Sequence, residues 1–392
     1  MAKRPDRSVP GLLIVDKSSG MTSHDVVSRV RRLAHTRKVG HAGTLDPMAT
    51  GVLVVGIGKA TRLLTYISGS SKTYNATIRL GIETTTEDAE GQLISARGCP
   101  SLDESALERV LSGLRGDILQ VPSKVSALKI AGQRAHALVR AGKEVELEAR
   151  PVHISRLEVC APFRSSVCDL AEDVFFPVDA EEKAYFVASD FLQAQATFDI
   201  PRNTKLKTPH VPVVDVDVVV ECSSGTYVRA LARDIGAALG CGAHLTYLRR
   251  TQVGVFTLDH AHTLESCEAL SVDDLSQNFT ENTEKTEAST LYRVGEETIG
   301  SAPVCAPAPF LLPLDEVVHS LFPTLVLTEE EALRFAHGNP PQRHVPALAG
   351  QHSDNSGHVK DKVHPIAALH PDGHVMGLLA VRSGKLVTLL VF

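Results

Sequence analysis

The chain has 392 residues, enough for one large or two to three ordinary domains, and its 43% hydrophobic content suffices for a packed core. No run approaches the roughly 18 unbroken apolar residues of a membrane span, and the polar start "MAKRPDRSVP" lacks the apolar stretch of a secretory signal. Seven cysteines without a C-x-x-C pair argue against a disulfide framework and a zinc site, and for a reducing cytoplasm. The net charge of −6 favours no partner by itself, but it is unevenly spread. Residues 1–64 carry eleven Lys/Arg against four acids, and residues 259–297 carry ten acids against two bases. That asymmetry points to a basic working face with acidic excursions elsewhere.

In chain order, "GLLIVDK" (11–17) reads as a strand. "TSHDVVSRVRRLAH" then reads as a basic amphipathic helix. Ser23 is placed to cap it, with Val26, Val27, Val30, Leu33 and Ala34 on one stripe. A loop follows over Gly40–Pro47. "TYNATIRLG" (73–81) alternates, with Tyr74, Ala76, Ile78 and Leu80 sharing one face. "LDESALERVLSGLRG" (102–116) reads as a helix stopped by Gly116. "VDVDVVVEC" (214–222) is a second alternating strand, "SSG" turns the chain, and "TYVRALARDIGAALG" (226–240) is a helix. Strands and helices mixed without a regular βαβ beat predict an α+β fold around a mainly antiparallel mixed sheet.

Two stretches read as additions. Residues 161–211 lack clear periodicity and hold five acids at 172, 173, 179, 181 and 182. Residues 268–303 are rich in Ser, Thr and Glu and read as a solvated acidic linker. From about 305, β-like runs split by turn signals at Asp372–Gly373 and Ser383–Gly384 suggest a small β-rich domain.

The glycine-rich "GVLVVGIGKAT" fails as a phosphate loop. Ile57 follows Gly56 where a lysine is needed, and Ala60 follows Lys59 where a hydroxyl is needed. "HPDGH" (370–374) is read as a turn rather than a metal site, because it brings only two imidazoles. In "GHAGTLDPMATGVL", Asp46 stands among apolar and small residues. An acid before proline is often a turn-former. A carboxylate in such company must otherwise be ion-paired or functional, and its partner would be an Arg or Lys from elsewhere in the chain.

Several stretches together resemble the TruB family of tRNA pseudouridine synthases: "GLLIVDKSSGMTSHDVV", "RKVGHAGTLDPMATGVLVVGIGKATRL", "KTYNATIRLG", "PSKVSALKIAGQRAHALVRAG", "EARPV" and "SSGTYVRALARDIGAALGCGAHLTYLRR". They run in family order over most of 11–160 and 212–256, and the extra insertions suggest the actinobacterial branch. The resemblance implies a catalytic domain over 1–300 and a small PUA-like RNA-binding domain over 305–392. It implies that Asp46 is the catalytic carboxylate and that Tyr74 stacks on the target uracil. Tyr227 becomes a pocket tyrosine, Arg229 the partner of the carboxylate, and Leu248 an apolar pocket wall. His41 enters the stem-loop as the base flips out, and Lys17 belongs to the active-site region. One departure is Thr85 in "TTTEDAEG", where the family often has an acid.

The chemistry so implied breaks the N1–C1′ bond of a uridine, turns the uracil and rejoins it through C5. It needs one ionised carboxylate beside the ribose, as nucleophile at C1′ or base at C2′, and no cofactor. The implied substrate is position 55 in the T loop of tRNA, bound by a cytoplasmic monomer through basic groups and T-arm shape. Two competitors remain at the sequence level. One is a non-catalytic tRNA-binding or RNA-chaperone protein on the same fold. The other, an NTP-binding protein, rests only on the failed glycine motif.

Overall fold

The computed structural model describes residues 9–123, 129–130, 133–134, 147–170, 210–269, 310–343 and 364–392. The acid patch at 172–182, nearly all of the 268–303 linker, the boundary near 305 and most of "PSKVSALKIAGQRAHALVRAG" lie outside them. In chain order, β1 (Gly11–Lys17), α1 (Ser23–Leu33), β2 (Val39–His41) and β3 (Thr50–Ile57) come first. A 3₁₀ turn, α2 (Leu64–Ser68), β4 (Lys72–Leu80), β5 (Glu83–Thr84) and β6 (Leu93–Ser95) follow. Next are α3 (Glu104–Gly113), β7 (Gly116–Gln120), the short β8 (Lys129–Ile130) and β9 (Gln133–Arg134), and the long β10 (Arg150–Val159). Then come β11 (Arg164–Asp169), β12 (His210–Cys222), α4 (Val228–Ala238), β13 (Ala243–Val253), β14 (Phe256–Thr257) and α5 (Leu264–Glu268). The C-terminal part holds β15 (Leu312–Pro313), α6 (Leu314–Leu321), β16 (Thr324–Val326), α7 (Glu329–Ala336), β17 (Ile366–Leu369), β18 (Val375–Arg382) and β19 (Lys385–Val391).

The large sheet runs β15-β1-β3-β13-β4-β12-β10-β7, with β2, β11 and β14 on side ladders. Its described ladders are antiparallel except β13 against β3, so the mainly antiparallel mixed sheet is present. Pleating divides β1: Leu13 and Val15 enter one core and Leu12 and Ile14 the other. The first core takes the apolar stripes of α1 and α4. The second takes the C-terminal part through Leu314, Val317, Val318, Ala367, Leu369 and Leu378. The smaller sheet, β16-β17-β18-β19, is separate in its pairing; it packs on the large one through this core and closes a core of its own around Leu327, Phe335, Ile366 and Leu379.

Several local readings change. The N-cap of α1 is Thr22, locked to Asp25 in a reciprocal capping box, and not Ser23. Part of the expected 40–47 loop is strand, because β2 pairs with the end of β3. Helix α3 ends at Gly113 with Leu114 as its cap, and Gly116 at φ +82° opens β7 instead of stopping the helix. Within the supposed insertion, β11 pairs with the first half of β12, so 164–169 and 210–211 belong to the sheet. The first described residues beyond 305 also join the large sheet, since β15 pairs with β1. The glycine-rich stretch is strand β3 and the 3₁₀ turn after it, as expected, and the 370–374 turn links β17 to β18.

Candidate active site

The stretch Leu45–Ala49 connects β2 to β3 and is gripped at successive residues. The buried Ser23 hydroxyl accepts from the Leu45 N–H at 2.9 Å and donates to the Leu45 carbonyl at 3.1 Å. The Ala49 N–H donates to the Asp46 carbonyl at 3.1 Å, which closes a tight turn. The Pro47 carbonyl accepts from the Gly20 N–H at 3.0 Å and from Lys17 Nζ at 3.1 Å. A loop fixed this way holds the Asp46 side chain in one place without help from a ligand.

Helix α4 brings the counter-ion. Arg229 sits in its first turn, because "SSG" reverses β12 and Gly225, at φ +91°, permits the turn. Its Nε and Nη2 donate to the two Asp46 oxygens, each at 2.9 Å, in a bidentate fork. The guanidinium is 4% exposed while the Asp46 side chain is 33% exposed. The cation is thus locked in the wall, and the carboxylate keeps an open side toward whatever enters.

The rest of Arg229 is satisfied by neighbours. Nη1 donates to the Thr86 carbonyl at 2.8 Å and to the buried Ser123 hydroxyl at 3.2 Å, and it lies 3.6 Å from Asp88 Oδ2. Asp88 is itself buried and held by the Thr86 hydroxyl. Two carboxylates on one fork leave Arg229 no freedom to turn.

Around this pair stand the other expected residues. Tyr74, on β4, is 7% exposed and lies in the core cluster with Leu45, Ala76, Val228 and Leu248. Burial pushes its hydroxyl pKa up, against the pull of the Arg250 cation. Tyr227 is the N-cap residue of α4. The buried Gln120 amide accepts from its N–H at 2.9 Å and donates to its carbonyl at 3.1 Å. Leu248 is buried on β13, opposite Ala76 in the ladder. His41 ends β2 half-buried, edge-on to His24 with ring centroids 5.8 Å apart. Burial, then His24 and Arg250, lower its pKa below that of an ordinary imidazole.

Lys17, expected in the active-site region, lies beneath the Asp46 loop. It is 0% exposed, and its ammonium donates to the Ser18, Met21 and Pro47 carbonyls. Desolvation brings its pKa down to about 8, with Asp46 opposing. It braces the Asp46 loop from behind and cannot reach a phosphate. Of the other N-terminal bases, Arg29 lies 3.8 Å from both Glu265 and Glu268, while Arg32, Arg37 and Lys59 are exposed.

This arrangement finds its counterpart in sequence families. Residues 31–185 match the model of the TruB family pseudouridylate synthase N-terminal domain, and residues 229–319 match that of the tRNA pseudouridylate synthase B C-terminal domain. A protein named tRNA pseudouridine synthase B from Arthrobacter sp. (strain FB24) is 44% identical over 385 residues, covering 97% of this chain and 96% of the relative. This chain belongs to the TruB family of pseudouridylate synthases. A relative of the same name from Thermobifida fusca (strain YX) is 42% identical over 382 residues, covering 97% and 98%. The fold of this family member also matches the solved "Crystal Structure of a Cbf5-Nop10-Gar1 Complex", at a TM-score of 0.56 and 20% identity, over 97% of this chain and 84% of that one. The chain is accordingly an enzyme of the isomerase class, in a family that acts on uridine.

Asp88, Ser123, Gln120 and the backbone grip of Ser23 escape a reading of the sequence. Asp88 follows Thr85 by three residues, in the turn between β5 and β6. Thr85 pairs with Gln92 across that turn. An acid so near a known departure was the one available signal. Ser123 and Gln120 carry none, since nothing in "GDILQVPS" marks them as buried.

Proposed function

We propose that this chain converts the uridine at position 55 in the T loop of tRNA to pseudouridine, acting as a cytoplasmic monomer without a cofactor. The Asp46–Arg229 fork carries the reading. It presents one aimed carboxylate with an accessible side, in a wall that otherwise buries its polar groups. No helix among the described residues is long and apolar enough to cross a membrane.

The uracil leaves its stack at a cost of a few kcal/mol. Stacking beside Tyr74 returns about 1–3 kcal/mol per base. Tyr227 and Leu248 narrow the slot, and the half-buried His41 occupies the space the base leaves in the loop. Exposed Arg32, Arg37 and Lys59 hold phosphates by charge, so affinity falls with salt. Asp46 then meets the ribose, either as a nucleophile at C1′ or as a base at C2′. The N1–C1′ bond breaks, the uracil rotates, C5 bonds to C1′, C5 gives up its proton and N1 takes one. Net composition is unchanged, so no redox partner is consumed. Deuterium at C2′ slows turnover only on the base route and so separates the two.

Tritium release from C5-labelled uridine, with the product mapped on whole tRNA, tests the assignment. Asp46→Asn should bind tRNA like the parent and release no tritium. Turnover near the parent level in that variant, or product mapped outside the T loop, refutes the reading.

A further inference from the structure

A second guanidinium stands at the centre of the site, and the chemistry above gives it no task. Arg250 lies on β13, between β3 and β4, and its backbone pairs with Gly51 on one side and Tyr74 on the other. It is 1% exposed and heads the large side chains that are fully buried. Its hydrogen bonds run to neutral carbonyls: Nε donates to Val52 at 2.8 Å and Nη2 to Gly43 at 3.1 Å. As the ladder partner of Tyr74, Arg250 projects on the same face of the sheet, and its cation pulls the Tyr74 hydroxyl pKa down against burial. Burying a cation among uncharged partners is expensive, and a Leu or Met would fill the same space without that penalty. Its presence calls for a task beyond packing.

The partners name the task. Gly43 and Val52 flank the segment that carries Asp46, one on each side. The backbone of this segment comes close to β13. Gly43 and Gly51 both hold positive φ, +89° and +99°. A Cβ at Gly51 would lie 2.1 Å from the Arg250 carbonyl oxygen, and one at Gly43 would lie 3.6 Å from Arg250 Nη1. The Arg250 side chain thus bonds to both roots of the Asp46 loop and stands beside Tyr74 in the ladder.

We propose that Arg250 is a positioning residue for the isomerisation. By joining the Gly43 and Val52 carbonyls to the Tyr74 hydroxyl, it sets the spacing between the reacting carboxylate and the ring that receives the uracil. This rests on Asp46 and Tyr74 having the roles given above. A lysine in its place cannot hold these partners at the same spacing, because its donors sit on one nitrogen instead of a planar fork.

The test uses the full chain and whole tRNA. Arg250→Lys is made alone and together with Tyr74→Phe, with tRNA affinity, single-turnover tritium release and thermal melting measured for each. Small misplacements at a reacting centre cost up to about 100-fold in rate, so Arg250→Lys should lose tenfold or more while binding tRNA within about twofold of the parent. In the Tyr74→Phe background the same change should cost less than about threefold, because the hydroxyl it acts through is gone. A purely structural role predicts equal losses in both backgrounds, tracking the fall in melting temperature, and that result overturns the proposal. Parent-level turnover in Arg250→Lys also overturns it. If Arg250→Lys does not fold, Tyr74→Phe alone decides: it should melt like the parent and turn over more slowly, and an unchanged rate overturns the proposal. Failure of the underlying assignment is read separately, as turnover in Asp46→Asn.

Discussion

Asp46 is directed by groups on both sides of its loop, so the residues that matter most for its aim include some that never meet it. Ser23 is the clearest. Truncating its hydroxyl leaves a buried N–H and a buried carbonyl of Leu45 unpaired, which costs roughly 1–3 kcal/mol. Ser23→Ala should lower the unfolding free energy from denaturant melts by that amount and slow single-turnover chemistry, with tRNA affinity nearly unchanged. At Arg229, a lysine keeps the charge but cannot fork across both Asp46 oxygens while also holding Thr86 and Asp88. Arg229→Lys should therefore fold and still lose most turnover in the tritium assay. Arg229→Met, which strands two carboxylates, should lose about 3–5 kcal/mol of stability by chemical denaturation. Asp46 was legible because a carboxylate flanked by Leu45 and Pro47 needs an explanation. Ser23 was legible only as a polar residue at a helix start, and its neighbour Thr22 does the capping. Nothing local distinguishes a serine that caps from one that grips a distant loop.

Among elements, β3, β13 and β4 form the frame of the site. Their tightest approach is at Gly51, where a methyl group would strike the backbone of β13. Gly51→Ala combines that collision with a strained φ, at about 1–3 kcal/mol for the conformation alone. It should give little folded protein, as judged by cooperative thermal melting. The start of β4 offers a titration. Lys72 is buried and donates to the Ser68 and Ser70 carbonyls; desolvation first, then Arg250, bring its pKa down to about 8. Between about 8 and the unfolded value of 10.5 the unfolded chain holds more protons, so this group adds stability as pH rises. Below pH 8 that contribution is gone. The unfolding free energy of the parent minus that of Lys72→Met should therefore climb from pH 8 to 10. Strands β1, β4 and β12 were readable because each buries one face or both against cores, and their residues show it. Strand β11 was not, because nearly all of it is exposed and its residues carry no alternation. Three-residue β2 is too short to have a period.

On the scale of the whole molecule, the C-terminal part and the catalytic sheet share one apolar cluster. Leu12 and Ile14 meet Val317, Val318 and Ala367 there, and Arg62 donates to the Val391 carbonyl. Cutting the chain after residue 309 would bare that face, so the truncated protein should melt well below the parent and aggregate on heating, as followed by light scattering. The β-rich texture of the last residues was visible in their turns and alternation. That they share a core with the first strand was not, since contacts between residues some 300 apart leave no local pattern. The pairing of β15 with β1 has a consequence for how the protein is born. At roughly 5–20 residues per second, the ribosome needs about 15–60 s to deliver Leu312 after Leu12 has emerged. For that interval the Gly11–Leu12 end of this margin of the sheet has no neighbour from its own polypeptide, while Ile14 and Asp16 wait only for His262, which bonds to both.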